Sequence, residues 1–109
     1  MSENWESFLE GLKSDSLGLL NKELEGFIQS AKQDPNTFIK EQGKKLDRYL
    51  TQLAMKQITK DDFALLMQDL KDVSEAEALK MEVGARARTQ RIVTGVTDLI
   101  LNRLLRILP

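Results

Sequence analysis

Three close pairs of carboxylates stand in one stretch of the chain: Asp61 with Asp62, Asp69 with Asp72, and Glu75 with Glu77. Two carboxylates can divide general acid and general base work when burial raises the pKa of one of them. These acids, however, fall at the starts or on the solvent faces of the helices that the sequence predicts, where negative charge complements the helix dipole. They read as structural. A second charged stretch is GARARTQR, Gly84 to Arg91. Its arginines Arg86, Arg88 and Arg91 are candidate anion contacts, because guanidinium groups bind phosphate oxygens in pairs. At about 100° per residue Arg88 and Arg91 share one side of a helix and Arg86 faces another. Glu82 precedes Arg86 by four residues, the favourable order for an intrahelical ion pair. No aromatic residue interleaves and the pI is about 5.5, so nucleic acid is disfavoured as a partner.

The remaining chemistry is narrowed by what the composition omits. The 109 residues contain no cysteine and no histidine, which removes disulfides, thiol nucleophiles, the commonest general base and the commonest metal ligands. No phosphate-binding glycine loop, HExxH or EF-hand loop occurs. The expectation is a protein that is not an enzyme and takes no cofactor or metal. The first residues, MSENWESFLEGLKSD, are acidic and do not read as a secretory signal, and a cytoplasmic location is expected.

The elements that carry these residues are all helical by their apolar spacing, as one domain over 1–109. Trp5, Phe8, Leu9 and Leu12 form a first stripe, with the two aromatics expected in the core. Leu20, Leu24, Phe27, Ile28 and Ala31 form a second. Asp34 and Pro35 suit an N-cap and a first helical position, so a third helix is expected from 35. It carries Ile39, Gly43, Leu46, Leu50 and Leu53 at 4-3-4-3 spacing, a coiled-coil-like seam on which Gly43 would admit a close neighbour. Thr59 opens a capping box completed by Asp62, followed by the stripe Phe63, Leu66, Met67, Leu70 and Val73, and Ser74 opens another box in S-E-A-E. The predicted helices are therefore 3–13, 17–32, 35–58, 60–73 and 74–108. A break at Val73–Ser74 and one continuous helix both fit the pattern there.

Charge lies in blocks. Residues 1–35 hold three lysines and seven acids, 36–59 five bases and two acids, 60–82 three lysines and seven acids, and 83–109 five arginines and one aspartate. Such alternation favours antiparallel neighbours of opposite charge, selecting partners more than adding stability.

The C-terminal segment is the most apolar. Ile92, Val93, Val96, Leu99, Ile100, Leu101, Leu104, Leu105, Ile107 and Leu108 spread over an arc of roughly 240°, where a one-sided surface helix needs little more than about 100°. Asp98, Asn102 and Arg106 fill the narrow polar remainder, continued by Gly84, Arg88, Arg91 and Gly95. A helix over 74–108 would be about 50 Å long, far beyond a compact domain with a radius of gyration near 13 Å. It either breaks at Gly84 or Gly95 or packs against a second copy, and the second option is preferred. A bilayer-spanning role fails on length and on Asp98, Arg103 and Arg106.

The expected fold is thus an all-α antiparallel helical bundle with a long C-terminal helix, completed by self-association. The expected interface is Val93, Val96, Leu99, Ile100, Leu104 and Ile107. The expected function is a non-enzymatic interaction or assembly protein, a homo-oligomer with a dimer favoured, that presents a charged surface to a protein partner. The alternative is a membrane-active protein that exposes its C-terminal amphipathic helix to anionic lipid.

Overall fold

The computed structural model describes residues 17–107, so the helix expected over 3–13, with Trp5 and Phe8, lies outside the described residues. Four helices follow in order and no strand occurs among the described residues: α1 (Leu17–Lys32), α2 (Thr37–Ala54), α3 (Lys60–Ala78), and α4, which starts at Val83 and continues to Ile107. None of these is long and apolar enough to cross a membrane.

Each helix enters the core along its own stripe. Leu24, Ile28 and Ala31 of α1 are fully buried, as are Ile39 and Leu46 of α2, with Leu50 and Leu53 beside them. The 4-3-4-3 seam of α2 is therefore a core stripe. Gly43 sits on it where α1 comes closest: a Cβ there would lie 2.8 Å from Ala31 Cβ and 2.9 Å from the Lys32 nitrogen. Lys32 Nζ and Asp47 Oδ2 join the same two helices at 3.3 Å. On α3 the stripe is Phe63, Met67, Leu70, Ser74 and Ala78.

The helix boundaries depart from the sequence reading at three places. First, α2 is capped by Asn36, whose side chain accepts from the Ile39 amide, and not by Asp34. Asp34 instead accepts from the Asn36 amide at 2.8 Å and shapes the loop ahead of the helix. Second, α2 stops at Ala54. Lys56 takes a left-handed conformation (φ 59°), and the Lys56 and Gln57 amides close back onto the Leu53 and Gln52 carbonyls. That is the Schellman ending that glycine usually supplies.

The third departure matters most for function. Ser74 does not start a helix; it lies fully buried inside α3, because the stripe Leu70–Ser74–Ala78 carries the helix past it. The chain turns at Leu79–Glu82 instead. Arg86 fixes that turn from the next helix, donating through Nε to the Ala78 carbonyl at 3.1 Å and through Nη2 to the Met81 carbonyl at 3.2 Å. A cation on the last carbonyls of α3 satisfies orphan acceptors and complements the dipole. The expected helix over 74–108 is thereby shortened to Val83–Ile107, roughly 37 Å at 1.5 Å per residue. It fits within a molecule measuring 41 × 23 × 22 Å.

The axial course of α4 is not uniform. Thr89–Thr94 and Ile100–Leu104 are π-helical, with the Gly95 amide reaching the Gln90 carbonyl and the Leu105 amide the Ile100 carbonyl. The core positions of α4 recur every eleven residues, as in Ala85–Val96, Thr89–Ile100 and Val93–Leu104. Eleven residues over three turns need a helix slightly wider than the regular one, and the two widened stretches also start eleven residues apart. The Thr89 hydroxyl, returned to the Ala85 carbonyl at 2.9 Å, competes for the ladder where the first begins.

Candidate interaction face

The side chains expected to form a self-association interface are placed inward. Val93, Val96, Ile100 and Leu104 are fully buried within a single copy of the chain, and Leu99 is half-buried against the same core. The side chain of Ile107 lies outside the described residues. The wide apolar arc of α4 is thus met by α1, α2 and α3 of the same chain, and reaching these residues from another copy would require the fold to open. The length argument for a second copy falls as well, since α4 no longer outgrows the molecule.

The three arginines are likewise separated by their surroundings. Arg86 holds the α3–α4 turn. Arg88 pairs with Asp34, Nε to Oδ2 at 2.9 Å and Nη2 to Oδ1 at 3.4 Å. Arg91 is exposed nearby and adds its field to that pair. Burial opposes ionisation of Asp34, but the Arg88 and Asn36 hydrogen bonds and the charges of Arg88 and Arg91 outweigh it, holding the carboxyl below its ordinary value. The trio does not converge on one anion site.

The carboxylate pairs are also dispersed. Asp62 closes the capping box, accepting from the Thr59 amide at 3.3 Å while its own amide donates to Thr59 Oγ1 at 3.0 Å. Asp72 accepts from Gln68 at 3.1 Å, and Glu77 meets Lys80 at 3.4 Å. Asp61, Asp69 and Glu75 are exposed. On the polar strip of α4, Asp98 takes a 2.7 Å bond from Lys71 of α3, which raises the lysine above its ordinary value. Glu23 of α1 receives Arg103 at 3.3 Å. Since Glu23 meets Arg103 and Asp34 meets Arg88, α1 and α4 run in opposite senses. Lys71 with Asp98 and Arg86 with Ala78 give the same relation for α3 and α4.

What remains on the outside is a face along α2 and α3. Tyr49, Lys45 and Gln42 of α2 stand across a narrow cleft from Leu66, Asp69 and Val73 of α3. At Leu66 and Asp69 the cleft continues into an open depression of about 500 Å³, lined also by Ile58, Asp62 and Leu65. Leu65 is 71% exposed and Val73 42%. Large apolar groups at this exposure, gathered along one groove, mark surfaces that bind. Lys45 lines the α2 side, and exposed Arg48 beside it lies over the Tyr49 ring at 5.4 Å from its centroid. Asp62 and Asp69 line the α3 side. The groove is therefore apolar along its floor, with a lysine on the α2 wall and two aspartates on the α3 wall.

A second exposed apolar pair, Leu79 (73%) and Val83 (79%), flanks the α3–α4 turn. Beside it an open depression of about 460 Å³ is lined by Pro35, Lys80, Glu82 and Arg88. Its walls are mixed in charge, and its Arg88 is committed to Asp34.

Sequence reasoning placed Leu66 and Val73 on one stripe with Phe63, Met67 and Leu70 and so missed the groove. The available signal was the second 4-3-4 stripe, Asp62, Leu66, Asp69 and Val73, lying beside the core stripe on α3. A helix with apolar residues at Leu65, Leu66 and Met67 has more of them than one buried face accepts. No protein-family model, curated protein or solved structure matches this chain.

Proposed function

We propose that this chain is a cytoplasmic, non-enzymatic helical interaction protein, an antiparallel bundle that self-associates and presents a charged surface to protein partners. The observation that supports this reading is the α2–α3 groove, with exposed Leu65 and Val73 along a floor walled by opposite charges. Helix-lined grooves of this kind take apolar anchors in the floor and use the charged rim to select and orient the partner. The interaction surface is thus moved from the apolar face of α4 to the outer face of α2 and α3.

The membrane-active alternative has the composition of α4 in its favour. It requires α4 to leave α1 and α3, breaking the Asp34–Arg88 and Lys71–Asp98 pairs and uncovering four fully buried aliphatic side chains. Light scattering across a concentration series, with and without anionic vesicles, tests both readings. A mass that rises with concentration in the absence of lipid is expected. A strict monomer at every concentration overturns self-association, and co-sedimentation with the vesicles transfers support to the alternative.

A further inference from the structure

We propose that the occupant of the α2–α3 groove is the same groove of a second copy, joined by a two-fold axis running parallel to the two helices. The proposal rests on the self-association reading above and names its surface and geometry.

The argument starts from the register of the groove. α2 and α3 are consecutive and joined by the short turn at 55–59, so residues equally far from that turn stand level with one another. Lys45 is level with Asp69, Tyr49 with Leu66, and Gln42 with Val73, and these six residues line the same cleft. An isologous interface brings one patch against itself, and only axes lying in the plane of the interface do this. An axis across the helices sets α2 on α2 and α3 on α3. The acids Asp62 and Asp69 then face the acids of the other copy, and Lys45 faces Lys45. An axis along the helices sets α2 of one copy on α3 of the other and preserves height. Each residue then faces the one with which it is already level: Lys45 meets Asp69, and Tyr49 meets Leu66. Charge selects this second arrangement, because like charges opposed across an interface act against it.

The surface available sets the strength. Two helices side by side, about 27 Å long and about 20 Å across, offer roughly 500 Å² per copy, or roughly 1,000 Å² in total. That is the lower bound for a specific interface, so the dimer is weak and its population depends on concentration.

The test uses the full-length chain and two charge reversals, Lys45→Glu and Asp69→Lys. Both positions lie on the surface of the groove, and circular dichroism melting checks that each variant folds. Sedimentation equilibrium is expected to show reversible dimerisation of the wild type. Each variant alone is expected to dimerise roughly tenfold more weakly, because symmetry applies the repulsion twice. An equimolar mixture of the two is expected to recover wild-type association. In the mixed dimer the two substituted positions oppose each other as a glutamate and a lysine, and the native Lys45 and Asp69 oppose each other on the other side of the axis. A wild-type dimer whose variants associate unchanged, or whose variants are weakened but not restored by mixing, overturns this geometry and leaves self-association standing. A wild type that is monomeric throughout overturns both.

Discussion

Arg88 of α4 grips Asp34 at the end of α1 across 54 residues of chain, with two nitrogens on two oxygens at 2.9 and 3.4 Å. The carboxylate is only 4% exposed while the guanidinium is about one-third exposed (32%), so the acid depends on this partner for its charge. Removing one member of such a pair costs more than the pair contributes, because the other is left buried and uncompensated. Arg88→Met is expected to lower stability by about 2–3 kcal/mol at pH 7. Urea unfolding monitored by circular dichroism measures it.

The same pair has a defined pH dependence. Asp34 titrates below its ordinary value in the folded chain, so its contribution is fully present above the unfolded value of about 3.9 and is lost as pH falls through the folded one. The stability gap between wild type and Arg88→Met is therefore expected to narrow below about pH 4. A gap that stays constant down to pH 2 contradicts this assignment.

Two glycines separate packing from propensity. Alanine at Gly43 would meet Ala31 Cβ at 2.8 Å and backbone of Lys32 at 2.9 Å, whereas alanine at Gly26 meets nothing within 4 Å among the described residues. Both substitutions gain about 1 kcal/mol of helix propensity. Gly26→Ala is expected to keep that gain and raise the melting temperature. Gly43→Ala is expected to lose about 1–3 kcal/mol net, since α1 and α2 must move apart. Equal behaviour of the two variants would show that the contact at Gly43 is unimportant.

The α2 ending makes a prediction of the opposite sign. Lys56 holds φ at 59°, a region costly to any residue with a Cβ. Lys56→Gly is expected to stabilise the chain by about 0.5–1 kcal/mol. A thermal melt that moves down instead would mean the lysine side chain has a role there that the backbone does not reveal.

Ser74 supplies another test. Its hydroxyl is fully buried and, like the Thr94 hydroxyl, has no hydrogen-bond partner among the described residues. Ser74→Ala removes an unmet polar group without altering shape and is expected to be neutral or to stabilise by up to about 1 kcal/mol. A loss of stability would imply a partner such as a buried water.

The contrast between Leu17–Lys32 and the α3–α4 region explains how much was legible beforehand. The span of α1 follows from its apolar stripe and the stop at Pro35, and the capping box at Thr59 follows from side-chain reach alone. Those features are local. The end of α3 is not, because a serine after a valine reads as a cap until the neighbouring helix decides that its face is core. The carbonyls that end α3 are satisfied by Arg86, eight residues beyond Ala78, and no cap signal marks that arrangement. That Val93, Val96, Ile100 and Leu104 are covered within one copy was not legible for the same reason. A broad apolar arc states how many sides a helix must cover, but not whether its own chain or another covers them. The groove was hidden in turn because Leu66 and Val73 share the helical spacing of the core beside them.

The widened turns of α4 bear on how this sequence can gain or lose residues. A π-helical turn holds one residue more than the regular ladder requires. Deleting a single residue within Thr89–Thr94 or Ile100–Leu104 lets the ladder close to the regular repeat and leaves later side chains near their places. The same deletion in the middle of α2 turns every side chain beyond it by about 100°, taking Leu50 and Leu53 off the core. A single-residue deletion is thus absorbed at the widened turns of α4 and rejected in α2, which has no such turn to close.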